Sequence, residues 1–189
     1  MRKIAFALLA AAFSLQPGFA QPAPAPDALV ERLLTVLPDA NLLTGTNVPP
    51  PDPAEVSRLN GLNPGHEAEI MAALQAYQNC LTPVVAAATG RGLRHLIRGL
   101  GEAKVSRLIQ FYQGDDYRAL AAIHARQAGS ESDRRETARI LATYPLAEFA
   151  QLIPQLQQTA MQDDAFLAGA TRCSLAKRDT FQQQGIRFR

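Results

Sequence analysis

The sequence predicts an all-α fold: a multi-helix bundle, or an array of short antiparallel helices, held by one disulfide. Three observations lead there. Apolar residues recur at i, i+3, i+4 and i+7 spacing, and no alternating stretch is long enough for a strand. Aromatic residues make up 6% of the 189 positions and tryptophan is absent, while alanine supplies much of the 47% hydrophobic content, which suits close helix packing better than a β-sandwich. Helix-stopping and helix-starting residues recur along the chain with short connections between them, giving roughly seven to nine helices with antiparallel neighbours.

The first element is not part of that fold. Arg2 and Lys3 precede an uncharged apolar run from Ile4 to Leu15, and Gly18-Phe19-Ala20 forms a small-x-small site before Gln21. This is the pattern of a secretory signal peptide, and the run is too short to span a bilayer. Residues 1–20 are therefore expected to be removed and the mature chain exported, to the periplasm of a Gram-negative bacterium. No later segment is apolar for long enough to be a transmembrane helix. The 19 Lys and Arg against 17 Asp and Glu give a net charge of +2, but Arg2 and Lys3 leave with the signal, so 17 of each remain. The basic balance of the precursor is thus no argument for nucleic acid as a partner. About 170 residues suit one domain with its own core.

Residues 21–26, QPAPAP, read as an extended Pro/Ala spacer rather than a packed element. A single helical domain is expected over residues 27–180, followed by a loose polar tail, 181–189. Asp27 is placed as the cap of a helix striped by Leu29, Val30, Leu33, Leu34 and Leu37, ended by Pro38. A loop over residues 41–51 leads to Asp52-Pro53-Ala54-Glu55, which combines an N-cap, a first-turn proline and a capping-box glutamate. That helix stops at Gly61. Asn63 and Pro64 are expected to open the next, striped by Ile70, Leu74, Tyr77 and Leu81.

Pro83 cannot donate to the carbonyl four residues back, so Thr82-Pro83 is expected to start a separate helix running to Leu100, weakened by Gly90 and Gly92. Helices then follow over Glu102–Gln113, from Asp115 or Asp116 to near Gly129, and from the caps in GSESDRRE through Tyr144. Another begins at Pro145 and is kinked at Pro154. Helix resumes from Gln155 toward Lys177, with a break around Asp163-Asp164.

Two cysteines are present, Cys80 and Cys173. In an oxidising compartment an even pair reads as a disulfide, with two buried free thiols as the alternative. There is no C-x-x-C for thiol-redox chemistry and no C-x-x-C-H for haem.

Aromatics and acids crowd into Phe111-Tyr112-Gln113-Gly114-Asp115-Asp116-Tyr117. Val105, Leu108, Ile109 and Tyr112 form one helical stripe; Tyr117, Leu120, Ala121 and His124 form the next. Gly114 fits the left-handed stop of a helix. The two aspartates fit the positive end of the following helix. A corner between two helices accounts for every residue. As a metal or acid/base pair, Asp115 and Asp116 lack further ligands nearby, and His66, His95 and His124 show no H-x-x-x-H spacing. His124 reads as a hydrogen-bonded core residue. No nucleophile elbow, phosphate loop or triad is found, so no catalytic residue, metal or cofactor is assigned.

Charge is unevenly spread. Residues 27–80 hold seven acids and two bases, a net of −5; residues 81–110 hold five bases and one acid, a net of +4. Arg91, Arg94 and Arg98 share one helical face, and guanidinium groups at this spacing suit a phosphate or carboxylate. The face reads either as a contact for an anionic partner (a lipid headgroup, an envelope glycan or an acidic envelope protein) or as the partner of the acidic N-terminal helices.

The stretch LGEAKVSRLIQFYQGDDYRALAAI, within residues 84–125, resembles an exported bacterial family, domain of unknown function 2059. Leu100, Glu102, Leu108, Phe111, Tyr112, Arg118 and Leu120 carry the resemblance. Gly114-Asp115-Asp116-Tyr117 departs from the family's Ser/Thr-Pro-x-Gly turn, and Lys104 stands where an acid is common. The resemblance implies an all-helical, exported protein and supplies no catalytic residue. The expected function is a non-enzymatic exported domain making protein or cell-envelope contacts. Two alternatives have structural signatures. An envelope hydrolase would bring Glu102, Asp115 or His124 together in a pocket, and a small-ligand carrier would show an apolar cavity between helices.

Overall fold

The computed structural model describes residues 23–38, 48–126 and 129–188. The expected signal peptide, residues 21–22 of the spacer and residues 41–47 of the expected loop lie outside the described residues. The described chain is all-α, without a strand: α1 Asp27–Val36, α2 Pro53–Leu62, α3 Glu67–Gly99, α4 Glu102–Gln113, α5 Asp115–Arg126, α6 Glu131–Thr143, α7 Leu146–Ala150, α8 Leu152–Met161 and α9 Asp164–Gln183. No helix among the described residues is long and apolar enough to cross a membrane.

Local chemistry opens three of these helices. The Asp52 carboxylate accepts from the Ala54 N–H at the start of α2, with Pro53 in the first turn. Ser130 and Asp133 exchange side-chain and backbone bonds in a capping box that opens α6, satisfying donors that have no partner within the helix. Asp163 accepts from the Phe166 N–H at 2.8 Å and starts α9.

The long helix α3 departs from expectation. Its 33 residues run straight through Pro83, with no separate start at Thr82, whose hydroxyl donates instead to the Gln78 carbonyl at 2.9 Å. An interior proline costs about 3 kcal/mol. Here the flanking turns are clamped to α9 on both sides. Cys80, which therefore lies in mid-helix rather than at a corner, is bridged to Cys173. One residue past the proline, Val84 faces Gly169 so closely that a Cβ there would lie 2.6 Å from Val84 Cγ1. Packing of this kind offsets the missing hydrogen bond and keeps one helix where local propensity gives two.

Two cores lie along α3. The larger joins Val30 and Leu33 of α1, Leu93 and Ile97 of α3, Val105, Leu108 and Ile109 of α4, and Phe149, Leu152 and Leu156 of α7–α8. Gly101, at φ 85°, makes the turn from α3 into α4 in the left-handed region that glycine tolerates. The smaller core joins Leu59, Ile70, Ala73 and Leu74 to Phe181 and Ile186. Each fully buried aliphatic side chain contributes about 1.5–3 kcal/mol to these cores.

The second core corrects the expected loose tail. α9 runs on to Gln183, and Gly185 (φ 69°) ends it. The Gly185 N–H donates to the Gln182 carbonyl, and the Ile186 N–H to that of Phe181. This is a Schellman ending, whose signature apolar contact is Phe181 with Ile186. Asn63, expected as a cap, is buried instead. Its amide donates to the carbonyls of Leu59 and Arg187, and its oxygen accepts from the Arg187 N–H at 2.6 Å.

Three smaller corrections follow the same logic. The spacer is packed at its end, where Ala25 is buried and its N–H donates to the Arg98 carbonyl at 3.0 Å. Asp27 makes no cap; it lies in the first turn of α1 and its carboxylate pairs with Arg98. Pro154 kinks nothing, because the break falls at Gln151 and the proline occupies the first turn of α8, where its missing N–H has no intrahelical partner to lose.

The disulfide joins cysteines at a sequence separation of 93, so loop-closure entropy assigns it about 4.5 kcal/mol. Replacing both cysteines by alanine is expected to lower the unfolding free energy by about that amount in denaturant titration; a loss below about 1 kcal/mol would show that α3–α9 packing alone holds the seam. Gly169→Ala is expected to cost about 1–3 kcal/mol by overpacking, and Val84→Ala in the same chain to recover part of it. A double variant as unstable as the sum of the single ones would contradict the contact.

Candidate functional site

The corner between α4 and α5 gathers five aromatic rings. Phe111 sits at the centre, edge-on to Tyr112 at 5.0 Å and to Tyr117 at 5.8 Å, and tilted against Tyr144 at 5.2 Å. Tyr112 extends the cluster to Tyr117 at 5.5 Å and to Phe149 at 6.4 Å. Such edge and tilted pairs add about 0.5–1.5 kcal/mol each beyond area burial. Gly114 is needed here for a reason other than the expected one. Its backbone is extended (φ −95°, ψ 178°), not left-handed, but a Cβ would lie 2.8 Å from the Gln110 carbonyl oxygen.

The two aspartates after Gly114 turn to separate partners. Asp115 pairs with Arg118 within α5, and Asp116 reaches Arg139 on α6. The Arg139 guanidinium, and next the Tyr144 hydroxyl, hold the Asp116 carboxyl below the usual carboxylate range. The pairs Asp116–Arg139 and Arg126–Asp133 thus link α5 to α6, and Glu136 braces Arg139 from within α6. Among the described residues no group of three or more His, Cys, Asp or Glu is placed to hold a metal ion.

Beside this corner lies a cleft of about 760 Å³. Phe111, Tyr112 and Tyr117 form one side. Leu120, Ala121 and His124 continue it along α5, and Leu141 of α6 and Ile153 of α8 stand at its rim, each about half exposed (50% and 52%). Leu146 and Phe149 of α7 close the far side, next to Leu37 and Pro38 after α1. The lining residues with polar side chains are Tyr112, Tyr117 and His124. Burial, and then the neighbouring Tyr117, push the Tyr112 phenol above its ordinary pKa, so it is a neutral hydrogen-bonding group. A mostly apolar hollow of this size with a few fixed polar groups is the usual form of a small-molecule site.

Sequence reasoning found these residues and misjudged their surroundings. The stripe Tyr117-Leu120-Ala121-His124 exists, but α5 has no buried residue; the stripe faces the cleft. His124 is exposed at the cleft and is not a core residue. Of the three residues proposed for a hydrolase, only His124 lines the cleft. Glu102 is at the opposite end of α4 from the corner, and Asp115 is paired outside. Leu141, adjacent to buried Ile140 and off the α6 core face, was not singled out by sequence reasoning.

Arg91, Arg94 and Arg98 do share a face of α3, and each has a carboxylate partner from outside that helix. Arg91 binds Asp163 bidentately, with contacts of 2.9 and 2.6 Å. Arg94 reaches Glu31 at 2.6 Å, and Arg98 reaches Asp27. Three positive charges are thus matched by three negative ones. The ladder ties α3 to α1 and to the start of α9, the intramolecular alternative that the charge pattern left open. Exposed pairs of this kind are screened by solvent and contribute little to stability one by one. Asp163 is the most enclosed of the three carboxylates.

Comparison with protein-family models, curated proteins and solved structures gives no match to this chain.

The Arg91 guanidinium, followed by the Phe166 N–H, holds the Asp163 carboxyl down at about 2, against an ordinary 3.8. The folded value lies below the unfolded one, so the stabilisation is complete above 3.8 and is lost as pH falls through about 2. Asp163→Asn is therefore expected to lower Tm at neutral pH, and the gap to wild type to close across that acid window. A gap of constant size in melts over the same range would show that the charge of Asp163 is not what matters.

Proposed function

We propose that this is an exported, periplasmic, non-enzymatic helical domain that works by binding, and that the cleft beside the aromatic corner receives an apolar ligand, as in a carrier. The observation that carries this reading is the cleft itself: about 760 Å³, bounded by aromatic and aliphatic side chains, with two phenols and one imidazole as its polar groups. Several features support the rest. The disulfide Cys80–Cys173 fits an oxidising compartment. The residues named for hydrolysis do not converge, which favours binding over catalysis. We also propose kinship with domain of unknown function 2059. Phe111, Tyr112 and Leu120, three of the positions that carry that resemblance, line the cleft.

The neutral fluorophore N-phenyl-1-naphthylamine tests the cleft without help from charge. It is expected to brighten on binding the wild-type chain. Ala121→Phe, a substitution at an exposed position on the cleft wall, is expected to weaken binding about tenfold, equivalent to about 1.4 kcal/mol, with an unchanged far-ultraviolet dichroism spectrum. No binding by wild type, or equal binding by both proteins, would refute the assignment.

A further inference from the structure

A second hollow, of about 290 Å³, adjoins the first; Leu141 and Ala147 line both. Its character is different. Lys104 and Arg107, three residues apart on α4, face it, together with Glu148 of α7. The Lys104 ammonium is paired with the Glu148 carboxylate at 3.1 Å. Arg107 makes no ion pair among the described residues, in contrast to Arg91, Arg94, Arg98, Arg118 and Arg139, which all do. Two cations and one carboxylate leave this hollow with a single surplus positive charge, carried by a guanidinium, next to a cleft walled mainly by apolar side chains.

We infer that the two hollows together form a site for a single-chain fatty acid, its hydrocarbon tail in the aromatic cleft and its carboxylate on Arg107. The inference rests on the apolar-ligand reading above and adds the ligand class. Charge complementarity selects the head group. The planar fork of arginine binds a carboxylate through two parallel hydrogen bonds. One surplus positive charge balances a monoanion, whereas a phosphate monoester, with nearly two negative charges, would leave one facing Glu148. A tail on the Phe111 and Tyr117 rings removes apolar surface from water on both partners, at about 25 cal/mol per Å².

The test uses three amphiphiles with one tail, below their micelle concentrations: laurate, dodecanol and dodecyl phosphate. Each competes with N-phenyl-1-naphthylamine on the full chain and is also titrated directly by calorimetry. Laurate is expected to bind about tenfold more tightly than dodecanol, a difference of about 1.4 kcal/mol, and more tightly than dodecyl phosphate. Arg107→Gln should abolish the preference for laurate over dodecanol and leave fluorophore binding intact. Glu148→Gln, which adds one unit of positive charge, should shift preference toward dodecyl phosphate. Equal binding of laurate and dodecanol, a laurate preference that survives Arg107→Gln, or tighter binding of dodecyl phosphate to wild type would each overturn the inference while leaving the apolar cleft standing. Arg107-dependent laurate binding without fluorophore binding would instead overturn the cleft as an apolar site, and binding of neither would overturn both.

Discussion

The close approach of α3 and α9 around Pro83 organises the molecule. A proline in the middle of a 33-residue helix removes a hydrogen bond and pushes against the preceding turn. The helix survives because Cys80 is bonded to Cys173 one turn on one side, and Val84 meets a glycine at position 169 on the other. That continuity has reach. The N-terminal half of α3 carries the small core with Leu59, Phe181 and Ile186, and the C-terminal half carries the large core with α1, α4 and α7–α8. Two separate helices would let the cores move relative to one another. One stiff helix fixes both, and with them the place where α4 begins.

From that point the cleft follows by geometry. Gly101 turns the chain into α4, whose buried stripe of Val105, Leu108 and Ile109 seats it on the large core. The helix ends in Phe111 and Tyr112 at the edge of that core. Gly114 then allows a tight corner that a side chain would block, and α5 leaves with its apolar stripe pointing across open space toward α7 and α8. Two ion pairs, Asp116–Arg139 and Arg126–Asp133, join α5 to α6, and α5 has no buried residue. The site therefore combines a rigid floor with a wall whose own burial is slight.

The sequence showed the helical class, the disulfide partners, the cap at Asp52, a capping segment in GSESDRRE, a break near Asp163, and the residues of both aromatic stripes. These are local or compositional properties: a 3.6-residue period, a capping oxygen, an even count of cysteines. What it hid depended on packing between distant segments. Pro83 looked like a boundary because propensity ignores α9. Asn63 looked like a cap because its partner, Arg187, is 124 positions away. The stripe on α5 looked like core because periodicity reports which face is apolar and not whether anything covers it. The same limit applied to Arg91, Arg94 and Arg98. Their shared face was legible, while the carboxylates that neutralise it come from α1 and from the first residue before α9. The Gly185-Ile186 pair, a glycine followed by an apolar residue after a helix, was a readable Schellman signal for a folded C-terminal segment.

The bridge between Cys80 and Cys173 has a topological consequence as well as an energetic one. Apart from Leu37 and Pro38, every residue lining the cleft lies between the two cysteines in sequence. A single backbone cut anywhere in that interval, including the connection between α5 and α6, leaves the two pieces covalently joined through α3 and α9. The cleft is thus built inside a closed ring of chain. A protease that nicks the ring once opens it without releasing either wall, and only reduction of the disulfide as well would separate the halves.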